Sequence, residues 1–288
     1  MAKPNLAAAA QFLSGSARIV DWRHFQRVFE DGAPGPVRDA VAAYRNPDGG
    51  FGHGLEPDGR TPASQPAAVE VALRILHESD SWDPDLAAGA CDWLGANAPP
   101  GGGAAFAEPT VAGWPHAPWW EPTEAPLASV ATTGQIVATL HSRQAEHPWL
   151  AQATDLMWER ISRLTAPGAY DMLGVLRFLD RVPDRRRADA VFRNMGHLLI
   201  DQGIVSLDPD AEGEVHGPLE FAPTPESLAF GLFDSPTITS HLEHLAAAQR
   251  EDGGWSFNWL AWSPAAAAAW RGFVTVEALA RLRAYGQI

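Results

Sequence analysis

Apolar residues recur along this chain at helical spacing, in segments of two kinds. One kind is striped. Over residues 148–164, Leu150, Thr154, Met157, Ile161 and Leu164 fall on one face. Over residues 172–182 the stripe is Met172, Val175, Leu176, Leu179 and Val182, and after Asp184 it is Ala188, Val191, Phe192, Met195 and Leu199. The other kind is apolar nearly all round. Ala68, Val69, Val71, Ala72, Leu73, Ile75 and Leu76 leave only Glu70 and Arg74, an i,i+4 pair, as a polar line. Residues 129–141, and those from Ser263-Pro264 to about 284, read the same way. A helix apolar all round belongs in an interior, and a striped one packs against it. Further helices are expected over 6–13, 19–29, 37–45, 84–97 and 224–233, and after Ser235-Pro236. Period-2 alternation is not sustained and no Asn-Gly hairpin signal occurs, so the pattern predicts an all-α chain.

Gly-x-aromatic turns punctuate these segments: Gly49-Gly50-Phe51, Gly168-Ala169-Tyr170 and Gly253-Gly254-Trp255, with a further glycine turn at Gly101-Gly102-Gly103. The stretch 46–76 organises the rest. It reads as an outer helix, the Asp48-Gly49-Gly50-Phe51 turn, an irregular loop over 52–63, and an inner helix with Ser64 as N-cap and Pro66 in its first turn. A repeated helix pair of this kind predicts a closed array, a single domain over 1–288 in which each pair buries its neighbour. The alternative is an irregular helical globule.

The net charge of −14 argues against a nucleic-acid backbone or an anionic membrane as partner. One cysteine, Cys91, rules out an intramolecular disulfide and a thiolate metal cage. No apolar run is long enough to span a bilayer, and the N-terminal residues are too weakly apolar for a secretory signal. These features lead to the expectation of a soluble, cytoplasmic protein, its oligomeric state left open.

Three constellations could carry chemistry. His53, Glu56, Asp58 and Arg60 share a loop in which Gly50, Gly52 and Gly54 let a ligand approach the backbone. The loop could supply a general acid with a raised pKa, or the carboxylates could cap helices and pair with Arg60. In the second constellation His216 and Glu220 echo that pattern, and His53, His216 and Glu220 could meet on one face. The alternative is a solvated acidic loop. Nearby, Asp208, Asp210, Glu212 and Glu214 offer oxygen ligands suited to Mg²⁺ or Ca²⁺ but lack EF-hand spacing. No cofactor and no bound zinc are expected, with Mg²⁺ the one alternative. The third constellation is Trp114, His116, Trp119 and Trp120 in a proline-stiffened loop. With Trp259 and Trp262 it could form an aromatic mouth suited to carbocations or sugar rings, or a lid packed on a rim. Cys91 reads as a small core residue, His241 and His244 as surface residues, and Arg185 to Arg187 as a solvated face.

The run Leu245-x3-Gln249-x3-Gly253-x-Trp255 resembles the QW repeat of squalene–hopene cyclase and its relatives. Asp48-Gly49-Gly50-Phe51 resembles the glycine turn of protein prenyltransferase β subunits. The resemblance covers most of the chain, and its last repeat matches best. It implies an (α/α)6 toroid around a central apolar cavity, with the loops after the glycine turns and the starts of the inner helices facing the active-site end. That adds Phe51, Arg60, Tyr170 and Asp171 to the substrate-binding candidates. The chain departs from the family in two places. It has no Asp-x-Asp-Asp tetrapeptide, since Asp208-Pro209-Asp210-Ala211 lacks the last acid. It also has no zinc-binding Asp-x-Cys pair, since Gly89-Ala90 precedes Cys91. The leading expectation is therefore a terpenoid-cyclase-like enzyme acting on a hydrophobic, possibly isoprenoid, small molecule. In it the acid–base chemistry comes from His53, Glu56, Asp58, His216 and Glu220. A carbohydrate-active (α/α)6 hydrolase or epimerase, and a non-catalytic binding toroid, are the alternatives.

Overall fold

The computed structural model describes residues 3–288. Among the described residues the regular structure is helical, and β pairing is confined to the isolated bridges Arg45–Phe51, Gly59–His116 and Ala105–Ala128. The chain divides into two compact units, Asp31–Arg185 and the remainder, which joins the chain up to Glu30 with Arg186–Ile288.

The middle unit holds α3 (Gly35–Ala42), α4 (Pro66–Glu78), α5 (Pro84–Ala96), α6 (Val130–Ser142), α7 (Pro148–Arg163) and α8 (Ala169–Arg181). They form two layers. Helices α4, α6 and α8 lie side by side, with α6 touching both others, and α3, α5 and α7 back them. The front layer is the one whose sequence is most apolar, and α4 buries Ala68, Val69, Val71, Ala72, Leu73, Ile75 and Leu76 as its pattern requires. Each buried Val, Leu or Ile side chain among them contributes about 2 kcal/mol of transfer free energy. Glu70 and Arg74 form the expected ion pair at 2.9 Å.

The other unit holds α1 (Leu6–Ser16), α2 (Ile19–Phe29), α10 (Leu198–Asp201), α11 (Pro218–Phe221), α12 (Ser235–Ala247) and α13 (Pro264–Ala284), while α9 (Arg185–Met195) starts at the boundary. Helix α13 packs on α1, α2 and α12. It is a striped helix, not an all-apolar one. Ala266, Ala269, Gly272, Val276, Leu279 and Leu282 are buried, while Ala265 and Ala268 are exposed.

Several boundaries differ from the sequence reading, each for a local reason. Gln65, not Ser64, is the N-cap of α4, because the Ser64 hydroxyl is turned to Asp48. Gly168 caps α8. Asp171 stands in the first turn, and its carboxylate accepts from the Gly168 N–H at 3.4 Å. Helix α9 stops at Met195, where Gly196 follows. Arg185, Arg186 and Arg187 are exposed, and the Arg185 guanidinium also donates to the carbonyls of Leu179 and Val182 near the end of α8. The segment 224–233 forms a single 3-10 turn, Leu228–Leu232. Cys91 is buried as expected, and burial pushes its thiol up to about 12.

Two contacts fix the front layer. Helices α6 and α8 cross at Gly134 and Gly174, where a Cβ on Gly174 would come 2.6 Å from the Val130 carbonyl oxygen and one on Gly134 would strike the Gly174 carbonyl. At the far ends of α4 and α6, Arg143 donates to His77 Nδ1 (2.8 Å), to the His77 carbonyl (2.6 Å) and to Asp80 (2.9 Å). Burial foremost, then the Arg143 and Arg181 charges, lower the His77 pKa to about 4, against the pull of Asp80.

Gly174→Ala is expected to force the two backbones apart and cost about 1–3 kcal/mol. A melting temperature equal to the parent's would show that the crossing is not tight.

Acid stability follows from His77. Unfolded, it titrates near 6.5. Folded, it takes up its proton only near 4. Below 6.5 the unfolded chain therefore binds more protons. Its contribution to stability is complete above 6.5, declines as pH falls from 6.5 to 4, and is level below that. His77→Asn, which keeps an acceptor for Arg143, should flatten the melting-temperature profile across this window. An unchanged slope would rule His77 out as its source.

Candidate functional site

The site in the middle unit begins with the glycine turn. Asp48 Oδ1 accepts from the Gly50 N–H at 2.9 Å and from the Ser64 hydroxyl at 2.8 Å, and Asn46 and Gly50 exchange a backbone bond of 2.8 Å. Gly49 has φ +91°, and a Cβ there would lie 2.5 Å from the carbonyl oxygen of Gly89 on α5. The turn is thus closed from inside and pressed against the back layer, and Phe51 is wholly buried behind it.

From this anchor the chain makes a compact knot. The His53 N–H bonds the Thr61 carbonyl at 2.9 Å, and the Gln65 N–H bonds Phe51 at 2.8 Å. Glu56 accepts from the Asp58 N–H at 2.8 Å. Asp58 is buried and accepts from the Trp119 indole N–H at 3.1 Å. The Arg60 guanidinium lies over Gly54. The aromatic loop closes on the same knot. Arg60 N–H bonds Pro115 at 2.9 Å, Ala117 N–H bonds the Asp58 carbonyl at 2.8 Å, and the Trp120 ring covers Gly59. Two constellations read separately in the sequence are therefore one assembly.

A narrow crevice is lined by Gly52, Gly54, Glu56, Gly59, Thr61, Gln65, Ala68 and Trp120. The space between its walls has no room for a water molecule, so a ligand could enter only where the walls part. Trp120 is buried, with Phe106 edge-on at 5.2 Å, and so forms a wall of the crevice and not an exposed mouth. Trp114 and Trp119 are 48% and 40% exposed. His116 Nδ1 lies 2.6 Å from the Trp114 carbonyl.

Gln65 and Glu108 are the residues that sequence reasoning passed over. The Gln65 amide receives the Glu108 N–H at 2.8 Å and donates to Thr110 at 2.8 Å, tying the aromatic loop to the crevice wall. Glu108 is half-buried, and loss of hydration raises its pKa. A polar residue immediately before the helix-opening Pro66 was the signal for Gln65. Nothing in the local sequence marks Glu108.

The other candidates lie in the second unit or at its loops. His216, on the segment leading into α11, has its pKa lowered, chiefly by burial and also by Arg281, against the opposing carboxylates of Glu220 and Glu214. Glu220 lies in the first turn of α11, accepts from the Gly217 N–H at 2.8 Å and pairs with Arg281 at 2.6 Å. The acidic stretch is thus followed directly by the short helix α11. The neighbour of Glu220 that sequence reading missed is Arg281, one α13 turn from Glu277. Trp259 stacks on Phe257 at 4.7 Å and meets Trp270 edge-on at 5.0 Å, and Trp262 is half-buried. Tyr170, in the middle unit, is exposed. His241 and His244 are surface residues with partners, the Leu207 carbonyl and Asp210. His53 belongs to one unit and His216 and Glu220 to the other.

Among the described residues no group of three or more His, Cys, Asp or Glu side chains is arranged to hold a metal ion. In the acidic run, Asp208 accepts from the Asp210 N–H at 3.0 Å, and Asp210 meets His244 at 3.1 Å. Among the described residues no helix is long and apolar enough to cross a membrane. A scan against protein-family models finds no match, and a search among curated proteins finds none.

Asp58 is the joint between the two loops. Asp58→Ala should cost about 1–3 kcal/mol, because it strands the Trp119 donor and the packing around it. Limited proteolysis within 106–121 should accelerate. Unaltered cleavage in that segment would show that the aromatic loop is held elsewhere.

Proposed function

We propose that this chain is a small-molecule-binding protein resembling the terpenoid cyclases, with Glu56 as its acid–base group in the crevice against Trp120. The observation that carries the reading is the division of labour between the two carboxylates. Asp58 is buried and accepts from Trp119, while Glu56 is half-buried and is the one acid among the residues that line the crevice. The Trp120 face and Ala68 give the crevice apolar walls, suited to a hydrophobic ligand and to positive charge developing beside an indole. A sugar-processing reading needs two carboxylates flanking the scissile bond, and the crevice offers one. In the same reading the helices form an (α/α)6 toroid. The layering of α4, α6 and α8 before α3, α5 and α7, and the recurrence of the glycine turn, support that arrangement.

The experiment is a panel of prenyl diphosphates and simple sugars incubated with the protein and read by native mass spectrometry and product analysis. Isoprenoid compounds are expected to be retained or converted, and sugars ignored. Glu56→Gln keeps an acceptor for the Asp58 N–H, so it should abolish conversion, or weaken retention at least tenfold, with the melting temperature within about 2 °C of the parent. A Glu56→Gln protein that unfolds easily yet acts fully when folded would make Glu56 a structural lock.

A further inference from the structure

The aromatic loop is anchored at its base. There Ala105 bridges Ala128, the Ser129 N–H bonds the Ala104 carbonyl at 2.8 Å, and the Trp149 indole donates to the Gly103 carbonyl at 3.2 Å. Beyond the base, the hydrogen bonds from this loop to the rest of the described chain all go to residues 58–65. Gln65 receives the Glu108 N–H and donates to the Thr110 hydroxyl. The Arg60 N–H bonds Pro115, the Ala117 N–H bonds Asp58, and the Trp119 indole donates to the Asp58 carboxylate. Residues 121–127 make no hydrogen bond among the described residues, and Leu127 is 71% exposed. They are an untethered arm leading back to the base.

Between base and arm, residues 106–120 hold themselves together. Pro109–Gly113 is a 3-10 turn, the Val111 N–H bonds the Glu108 carbonyl at 3.1 Å, and the Trp120 N–H bonds Ala117 at 2.9 Å. Phe106 and Trp120, at the two ends of this body, meet edge-on at 5.2 Å. The body buries Trp120, Val111, Ala107 and Ala117, while Phe106, Trp114 and Trp119 stay exposed. Helix α4 alone buries Val69, Val71, Leu73, Ile75 and Leu76. A segment with few buried contacts opens at lower free energy than the whole chain. Lifting the body uncovers Asp58 and Gln65, both buried now, and takes the Trp120 ring off Gly59.

We propose that residues 106–120 are a lid over the crevice, hinged at the Ala105–Ala128 base, latched to Asp58 and Gln65, and closed in this structure. The closed walls leave no room for a water molecule. A ligand and the closed lid therefore exclude each other, and the ligand binds only the lifted form. This second half rests on the reading of the crevice as the ligand site. Binding then pulls the lid up, and a weaker latch tightens binding by the factor by which it favours the lifted form.

Residue-resolved amide exchange by NMR tests the lid. Lifting breaks the bonds of the Arg60, Glu108 and Ala117 N–H groups. These three should share one protection factor, well below those of Leu73 in α4 and Ile136 in α6. Val111 and Trp120, bonded inside the body, and Ser129 at the base should exchange more slowly than the three. Trp119→Phe removes a latch donor, and Thr110→Val removes an acceptor at the other end of the body. Each should speed exchange of the three by roughly three- to tenfold and leave Leu73 and Ile136 unchanged. Val111 and Trp120 exchanging as fast as the three would mean that the loop frays, and would overturn the lid. Three amides as protected as Leu73 would overturn it too.

Farnesyl diphosphate at saturation tests the ligand half. It should speed exchange of the three amides while Val111 and Trp120 keep their protection. Trp119→Phe and Thr110→Val should each tighten its binding by the factor measured in exchange. Slower exchange of the three in the complex would overturn the exclusion between ligand and closed lid. No binding, or binding that leaves the three amides unchanged, would overturn the crevice reading and leave the lid standing.

Discussion

A carboxylate oxygen shared between a backbone N–H and a side-chain donor closes the turn at Asp48 and again the turn at Asp252. Each turn then presses a left-handed glycine against a neighbouring backbone, the Gly89 carbonyl in one case and the Ala8 carbonyl in the other. A Cβ would not fit at either contact, so the carboxylate and the glycine act together. One sets the bend, and the other allows the approach. Around the second turn, the Gln249 amide clasps Asn5 through both its oxygen and its nitrogen, and the Trp255 indole donates to the Leu245 carbonyl at 2.8 Å. The residues that carry the QW-like pattern therefore have packing duties of their own, whatever lies beyond them.

The turn at Asp48 matters for chemistry because of what hangs on it. A loop of irregular backbone must satisfy its own N–H and C=O groups, and residues 52–65 do so by folding on themselves and on the aromatic loop. The bonds of that knot hold Glu56 at the crevice wall while Asp58 is buried. Burial separates the two carboxylates, since Asp58 is enclosed with the Trp119 indole donor and Glu56 is half-buried. The crevice is small because Trp120 fills the space over Gly59. A Cβ at residue 59 would collide with that ring, and the size of the crevice is therefore set by one glycine and one tryptophan.

Much of the fold was legible. Helices α1, α2, α4, α5, α6, α7, α8, α12 and α13 follow the apolar periodicity closely, because a stripe of buried side chains is a property of spacing along the chain. Caps at Asp83 and Ser263 were readable for the same reason, as each acts on a backbone group two or three residues away. The cap at Ser64 was misread because its hydroxyl had a stronger partner sixteen positions back, a carboxylate in the turn. Helix α11 escaped notice because four residues are too few to show a period.

For the candidate site, the sequence by itself determined the cast: a glycine-loosened loop with His53, Glu56 and Asp58, and a tryptophan loop far along the chain. Only the tertiary structure decided that the two loops bond to each other, that Asp58 is buried against Trp119 while Glu56 lines the crevice, and that Asn46, Ser64, Gln65 and Glu108 belong beside them. The physical reason is range. Propensity, caps and periodicity act within a few residues, whereas a hydrogen bond from Trp119 to Asp58 spans sixty-one positions. Its existence depends on how the layers pack, and no local pattern carries that information.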